Sequence, residues 1–70
     1  MAVKFGHALL YYREAAGLKQ NELAVKLDVR PEHLCRLECG TVTPSLSFLR
    51  RFARVAGVSE KALFRKALEE

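Results

Sequence analysis

The sequence predicts an all-α fold, a compact domain of five helices. No segment alternates apolar and polar residues with the period of two that a half-buried strand needs. Apolar residues instead recur three and four positions apart along almost all of the 70 residues. Glycine, serine and proline interrupt that pattern at short intervals, and short connections between helices favour a compact arrangement.

Phe5, Leu9, Tyr12 and Ala16 share one face of a first helix, which should stop at Gly17, a residue suited to the left-handed conformation that ends many helices. A second helix runs from Gln20 to Leu27 with Leu23, Ala24 and Leu27 inward. Glu22 sits where a capping-box acid belongs, but Lys19 holds the cap position and its ammonium cannot accept a hydrogen bond, a loss of about 1 kcal/mol relative to serine or threonine. Asp28 ends this helix where a left-handed residue is required, and aspartate tolerates that less well than glycine.

Val29 then turns inward, and Pro31 opens a third helix at the first-turn position that suits proline. Leu34 and Leu37 form its buried stripe, and Gly40 closes it. After the loop from Thr41 to Pro44, Ser45 caps a fourth helix ending at Ala56, with Leu46, Leu49, Phe52, Ala53 and Ala56 inward. Gly57 stops that helix, Val58 packs, and Ser59 caps a fifth carrying Leu63, Phe64 and Leu68. With no repeat, low-complexity tract or linker, residues 1–70 read as one domain.

Twelve Lys and Arg against eight Asp and Glu give a net charge of +4, which favours an acidic partner, nucleic acid first. The longest apolar run, Ala8 to Tyr12, is far short of the roughly 20 residues that span a membrane. The N-terminus lacks the apolar core and cleavage site of a secretion signal, so the expected location is cytoplasmic. Nothing invites an enzymatic reading: there is no glycine-rich phosphate loop, paired carboxylates or nucleophile with a matching histidine and acid. A small helical domain also has little room for a pocket of about 300 Å³.

The tight Asp28-Val29-Arg30 turn fixes the second and third helices at a steep angle, with Ala24 allowing their close approach. Only Leu34 and Leu37 of the third helix are required inward, which leaves Pro31, Glu32, His33, Cys35, Arg36 and Cys39 outward or sideways. A helix presented in this way can enter a major groove about 12 Å wide.

The ordered set Gln20-x-Glu22-Leu23-Ala24-x-x-Leu27, Leu34-x-Arg36-Leu37-Glu38-x-Gly40 and Pro44-Ser45-Leu46 resembles the phage repressor/Cro (XRE) helix-turn-helix family. The leading stretch from Leu9 to Leu18 and the trailing one from Leu49 to Ser59 extend the likeness, so that it covers Phe5 to about Leu63. The resemblance implies a five-helix fold with its helix-turn-helix at 20–40, and a sequence-specific regulator, a repressor, that binds double-stranded DNA as a homodimer.

Site roles follow where positions match. Gln20 matches a glutamine that binds backbone phosphate, with Lys19 beside it. Glu32 and Arg36 fall at positions that face bases, Arg30 lies at the edge of the groove, and His33 stands near the DNA. Arg36 is the candidate for a guanine, because its two-pronged donor matches O6 and N7. Thr41 and Thr43 can donate to phosphate. Arg13 and Glu38 match a partly buried ion pair between the first and third helices, whose role is structural. No cofactor or metal is implied.

Several outward residues depart from the family pattern. Pro31 offers no side-chain hydrogen bond where a polar reader is common. Glu32 is repelled by phosphate although it can accept from cytosine N4, and the loop Thr41-Val42-Thr43 lacks Lys and Arg. The strongest basic cluster, Arg50, Arg51 and Arg54, lies on the fourth helix and reads as a solvated face, a phosphate flank or a site for an acidic protein. These departures, with Leu10, Tyr11 and Phe48 off the core stripes, support an alternative: a protein-interaction module on the same fold, antitoxin-like or an anti-regulator factor.

His7 reads as a surface side chain. Cys35 and Cys39 are four apart on one helix, a spacing poorly suited to a normal disulfide. With His33 they make an incomplete metal site, and the expectation is a buried or half-buried pair of thiols.

Overall fold

A computed structural model describes residues 5–68, which form α1 (Phe5–Ala15), α2 (Gln20–Leu27), α3 (Pro31–Cys39), α4 (Leu46–Ala56) and α5 (Glu60–Ala67). Residues 1–4 and 69–70 of the expected domain lie outside the described residues. Serine caps open α4 and α5, and left-handed residues close α2, α3 and α4. The Ser45 hydroxyl accepts from the Phe48 amide at 3.1 Å, and the Ser59 hydroxyl accepts from Ala62 at 3.0 Å. At α2 the Lys19 side chain makes no cap bond, and the Glu22 carboxylate accepts from the Lys19 amide at 2.8 Å. Half of a capping box is therefore present, and Lys19 cannot complete it.

One apolar core joins all five helices. Phe52 of α4 is completely buried, with Leu9, Leu23, Leu34 and Leu63 around the same centre. Burial of each such side chain contributes roughly 1.5–3 kcal/mol. α1 packs chiefly against α5 and α3, while α2 lies against α3 and α4. Gly6 sits where α1 meets the end of α3: a Cβ there would stand 2.4 Å from the Glu38 carbonyl oxygen and 2.9 Å from that of Leu37. The Tyr12 hydroxyl reaches the Ala62 carbonyl at 3.4 Å, tying α1 to α5.

The core departs from the sequence expectation at its margins. Leu46 is 52% exposed, whereas Phe48 is only 4% exposed and stacks with Phe52 at a centroid separation of 6.4 Å. Leu46 is the first residue of α4, where no preceding turn covers it, and the buried stripe is rotated towards Phe48. Ala16 is exposed because α1 ends at Ala15 and the chain turns away through Gly17. Phe64 lies at the edge of the α5 stripe, 37% exposed and edge-on to Phe5, and Leu68 is exposed beyond the end of that helix.

Candidate nucleic-acid interface

The turn between α2 and α3 is fixed by backbone bonds. Asp28 adopts the left-handed conformation, with φ 58° and ψ 44°. Its amide donates to Val25 at 3.1 Å, and the Val29 amide donates to Ala24 at 3.0 Å. These two bonds satisfy the last carbonyls of α2 in the paired pattern that closes many helices. Arg51 of α4 adds a third, donating from Nη1 to the Leu27 carbonyl at 3.0 Å. Arg30 is extended, Pro31 begins α3, and Gly40 ends it at φ 82° with the Thr41 amide donating to Arg36 at 3.0 Å.

A half-buried polar cluster holds α3 against α1 and α2. The Arg13 guanidinium meets the Glu38 carboxylate through Nε at 2.7 Å and Nη2 at 3.3 Å, and its Nη1 donates to the Leu18 carbonyl at 2.9 Å. The Gln20 amide donates to the same carboxylate at 2.9 Å. Side-chain exposures of 13% for Arg13 and 5% for Glu38 make this a shielded ion pair with its polar groups satisfied. The expected bridge is thus present, joined by Gln20. One Gln20 amide hydrogen is committed to Glu38, and the other remains for a partner.

The opposite side of α3 is open. Pro31, Glu32, His33, Cys35, Arg36 and Cys39 are all exposed. At 3.6 residues per turn, Glu32, His33 and Arg36 fall within an arc of about 100°. Arg36 makes no ion pair among the described residues. Lys19 is exposed at the start of α2, Arg30 in the turn, and Thr41 and Thr43 in the loop after α3. The cluster around Glu38 brings Gln20 to α3, and the other candidates occupy the rim formed by these connections.

Two of the three arginines of the basic cluster on α4 have different partners. Arg51 closes α2, and Arg50 pairs with Glu60 at 3.6 Å in an exposed bridge. Cys35 and Cys39 are exposed and free rather than buried, because both lie on the outer face of α3. The Cys39 thiol is held above its ordinary range, first by its hydrogen bond with Cys35, then by the charge of that neighbour, and after these by desolvation and by Glu38. Two contributors escaped the sequence reading: Gly6, whose lack of a side chain allows α1 to approach α3, and Arg51. A lone glycine amid an apolar helical pattern was the available signal for the first.

Two short helices joined by a tight bonded turn, the second presenting an outward face that carries an unpaired arginine, are the arrangement of a helix-turn-helix domain. The chain belongs to the helix-turn-helix domain family, whose model matches residues 4–64. It is similar to the crystal structure of the clp gene regulator ClgR from C. glutamicum, with a TM-score of 0.88 and 29% identity, over 93% of this chain and 84% of that one. No curated protein matches the chain. The family is one of transcription regulators, not of enzymes, and among the described residues no helix is long and apolar enough to cross a membrane.

Proposed function

We propose that this domain recognises a specific duplex DNA sequence and acts in the cytoplasm as a transcriptional repressor, as a homodimer on a two-fold-related site. The observation that carries this reading is the exposed, unpaired Arg36 on a helix whose inner side is locked by Glu38. In this reading α3 enters the major groove, Arg36 donates to guanine O6 and N7, and Glu32 accepts from cytosine N4. Lys19, Gln20, Arg30, Thr41 and Thr43 contact phosphate, and His33 lies beside the reading face.

Selection of bound duplexes from a random library, repeated at two salt concentrations, tests the proposal. It yields the preferred site, its symmetry and the number of phosphates neutralised. Arg36→Ala should cost about 1–3 kcal/mol on the selected site and relax one base position. Gln20→Ala should weaken binding evenly across sequences. Absence of any preference at low salt overturns the reading.

A second reading, the protein-interaction module, is supported by the shallow groove that His7, Leu10, Tyr11 and Glu14 line on α1. Leu10 is 36% and Tyr11 47% exposed. Phe48 no longer supports it, because that ring is buried. A stoichiometric partner lost on Tyr11→Ala favours this reading, and tight operator binding by a protein that keeps the same assembly state after Tyr11→Ala argues against it.

A further inference from the structure

The outward face of α3 carries two thiols that base and phosphate recognition do not use. Cys35 and Cys39 are free and exposed. Residues four apart stand on one stripe of a helix, and here the two Sγ atoms are 4.0 Å apart. We propose that Cys35 and Cys39 form a two-thiolate site for a soft, thiophilic metal ion of low coordination number, Cu(I) in class, on the helix that faces DNA.

The distance suits one ion. A metal about 2.3 Å from each sulfur spans the observed 4.0 Å at an S–metal–S angle of roughly 120°. Small rotations of two exposed side chains open that angle without moving the backbone. The donor set also selects. Among the described residues no group of three or more His, Cys, Asp or Glu is placed to hold a metal. His33 lies two residues before Cys35, well round the helix from both thiols. An ion that needs four ligands, such as structural zinc, is therefore undersupplied, whereas soft sulfur donors favour Cu(I).

Binding breaks two S–H bonds, forms two S–metal bonds and releases two protons to solvent, with no change of oxidation state. Two protonated thiols carry no charge. A monovalent ion on two thiolates leaves the site with one negative charge. This second consequence rests on the proposed DNA-binding function: an added negative charge on α3 opposes the phosphates, and at ~0.1 M salt one charge changes duplex affinity roughly fivefold to tenfold.

Anaerobic titration of the reduced protein with Cu(I), against a chromophoric Cu(I) chelator, tests the site directly. The expected result is one ion per chain, sulfur-to-copper charge-transfer absorption, and loss of reactivity of both thiols towards a thiol reagent. Cys35→Ser and Cys39→Ser should each weaken uptake by more than the roughly 10–100-fold that loss of an outer-shell partner costs. Equal uptake by the double serine variant, or one ion per two chains, overturns the proposal. Circular dichroism checks that each variant retains its helices.

In a second measurement, Cu(I)-loaded wild type should bind a library-selected duplex roughly fivefold to tenfold more weakly at ~0.1 M salt, with Cys35→Ser/Cys39→Ser unaffected. Unchanged affinity in the loaded wild type overturns the coupling to DNA alone. Failure of the metal-free protein to bind any duplex overturns the functional reading instead, and the titration still decides the metal site.

Discussion

Replacing Glu38 with leucine deletes a carboxylate that accepts two hydrogen bonds from Arg13 and one from Gln20. What remains is a guanidinium only 13% exposed, with the Leu18 carbonyl as its one protein partner. Leaving such a charge uncompensated costs about 3–5 kcal/mol. The bond inventory gives a similar size, since hydrogen bonds to charged groups contribute about 1.5–3 kcal/mol each and the 3.3 Å contact is long. Arg13→Met should cost a comparable amount, because it strands a carboxylate that is 5% exposed with only Gln20 to serve it. The double variant Arg13→Met/Glu38→Leu removes both charges, and should fall within about 2 kcal/mol of wild type.

Urea denaturation followed by the far-ultraviolet helix signal measures all four proteins. A 70-residue domain has a total stability of about 3.5–10 kcal/mol, so at the low end of that range each single variant sits close to its unfolding midpoint even without denaturant. Sulfate or an excluded osmolyte shifts all four back into the measurable range. Glu38→Gln keeps one acceptor and should fall between wild type and leucine. The reasoning fails if the double variant costs the sum of the two singles, or if either single costs less than about 1 kcal/mol.

Gly6→Ala decides by sign whether the α1–α3 approach matters: replacing a helical glycine would by itself stabilise by at most about 0.5–1 kcal/mol, while a Cβ 2.4 Å from the Glu38 carbonyl oxygen forces a backbone shift costing about 1–3 kcal/mol. Urea midpoints should therefore fall, and a rise would refute the close-contact account. Lys19→Ser should supply the missing α2 cap and raise stability by up to about 1 kcal/mol, yet reduce the salt dependence of duplex binding by about one charge; both are read on one purified variant. Arg51→Ala should lower the thermal midpoint through loss of its bond to the Leu27 carbonyl, at about 1–2 kcal/mol. Arg54→Ala should stay within about 0.5 kcal/mol of wild type, and equal effects would place the two arginines in the same role.

Which parts of this domain were legible in its sequence follows from where each constraint comes from. Asp28, Pro31, Gly40, Ser45 and Ser59 act through bonds to neighbours in the chain, so local chemistry identifies them, and all five perform the expected tasks. Leu34 and Leu37 were equally clear, because a short helix with two leucines three apart has one way to bury them. The margins of the core were not. Leu46 and Phe48 lie on either side of the α4 stripe, and periodicity alone does not decide which is covered. Gly6 and Arg51 depend on backbone carbonyls from distant parts of the chain, which periodicity does not register.

The same division runs through α3 itself. Its inner side is specified by partners within the chain: Leu34 and Leu37 in the core, and Glu38 gripping Arg13 and Gln20. On its outer side the side chains of Glu32, His33 and Arg36 make no hydrogen bond or ion pair with the described residues, and those of Cys35 and Cys39 bond only to each other. Gln20 connects the two sides, because it spends one amide hydrogen on Glu38 and has the other left for the phosphate contact proposed for it. This makes the folded Arg13→Met/Glu38→Leu variant informative beyond stability. If Glu38 serves only the fold, that variant binds a selected duplex as wild type does. If it also aims Gln20, the variant keeps its base preference through Arg36 but binds more weakly across all sequences. Uniform weakening without a change of site is the outcome expected from the 2.9 Å bond between Gln20 and Glu38.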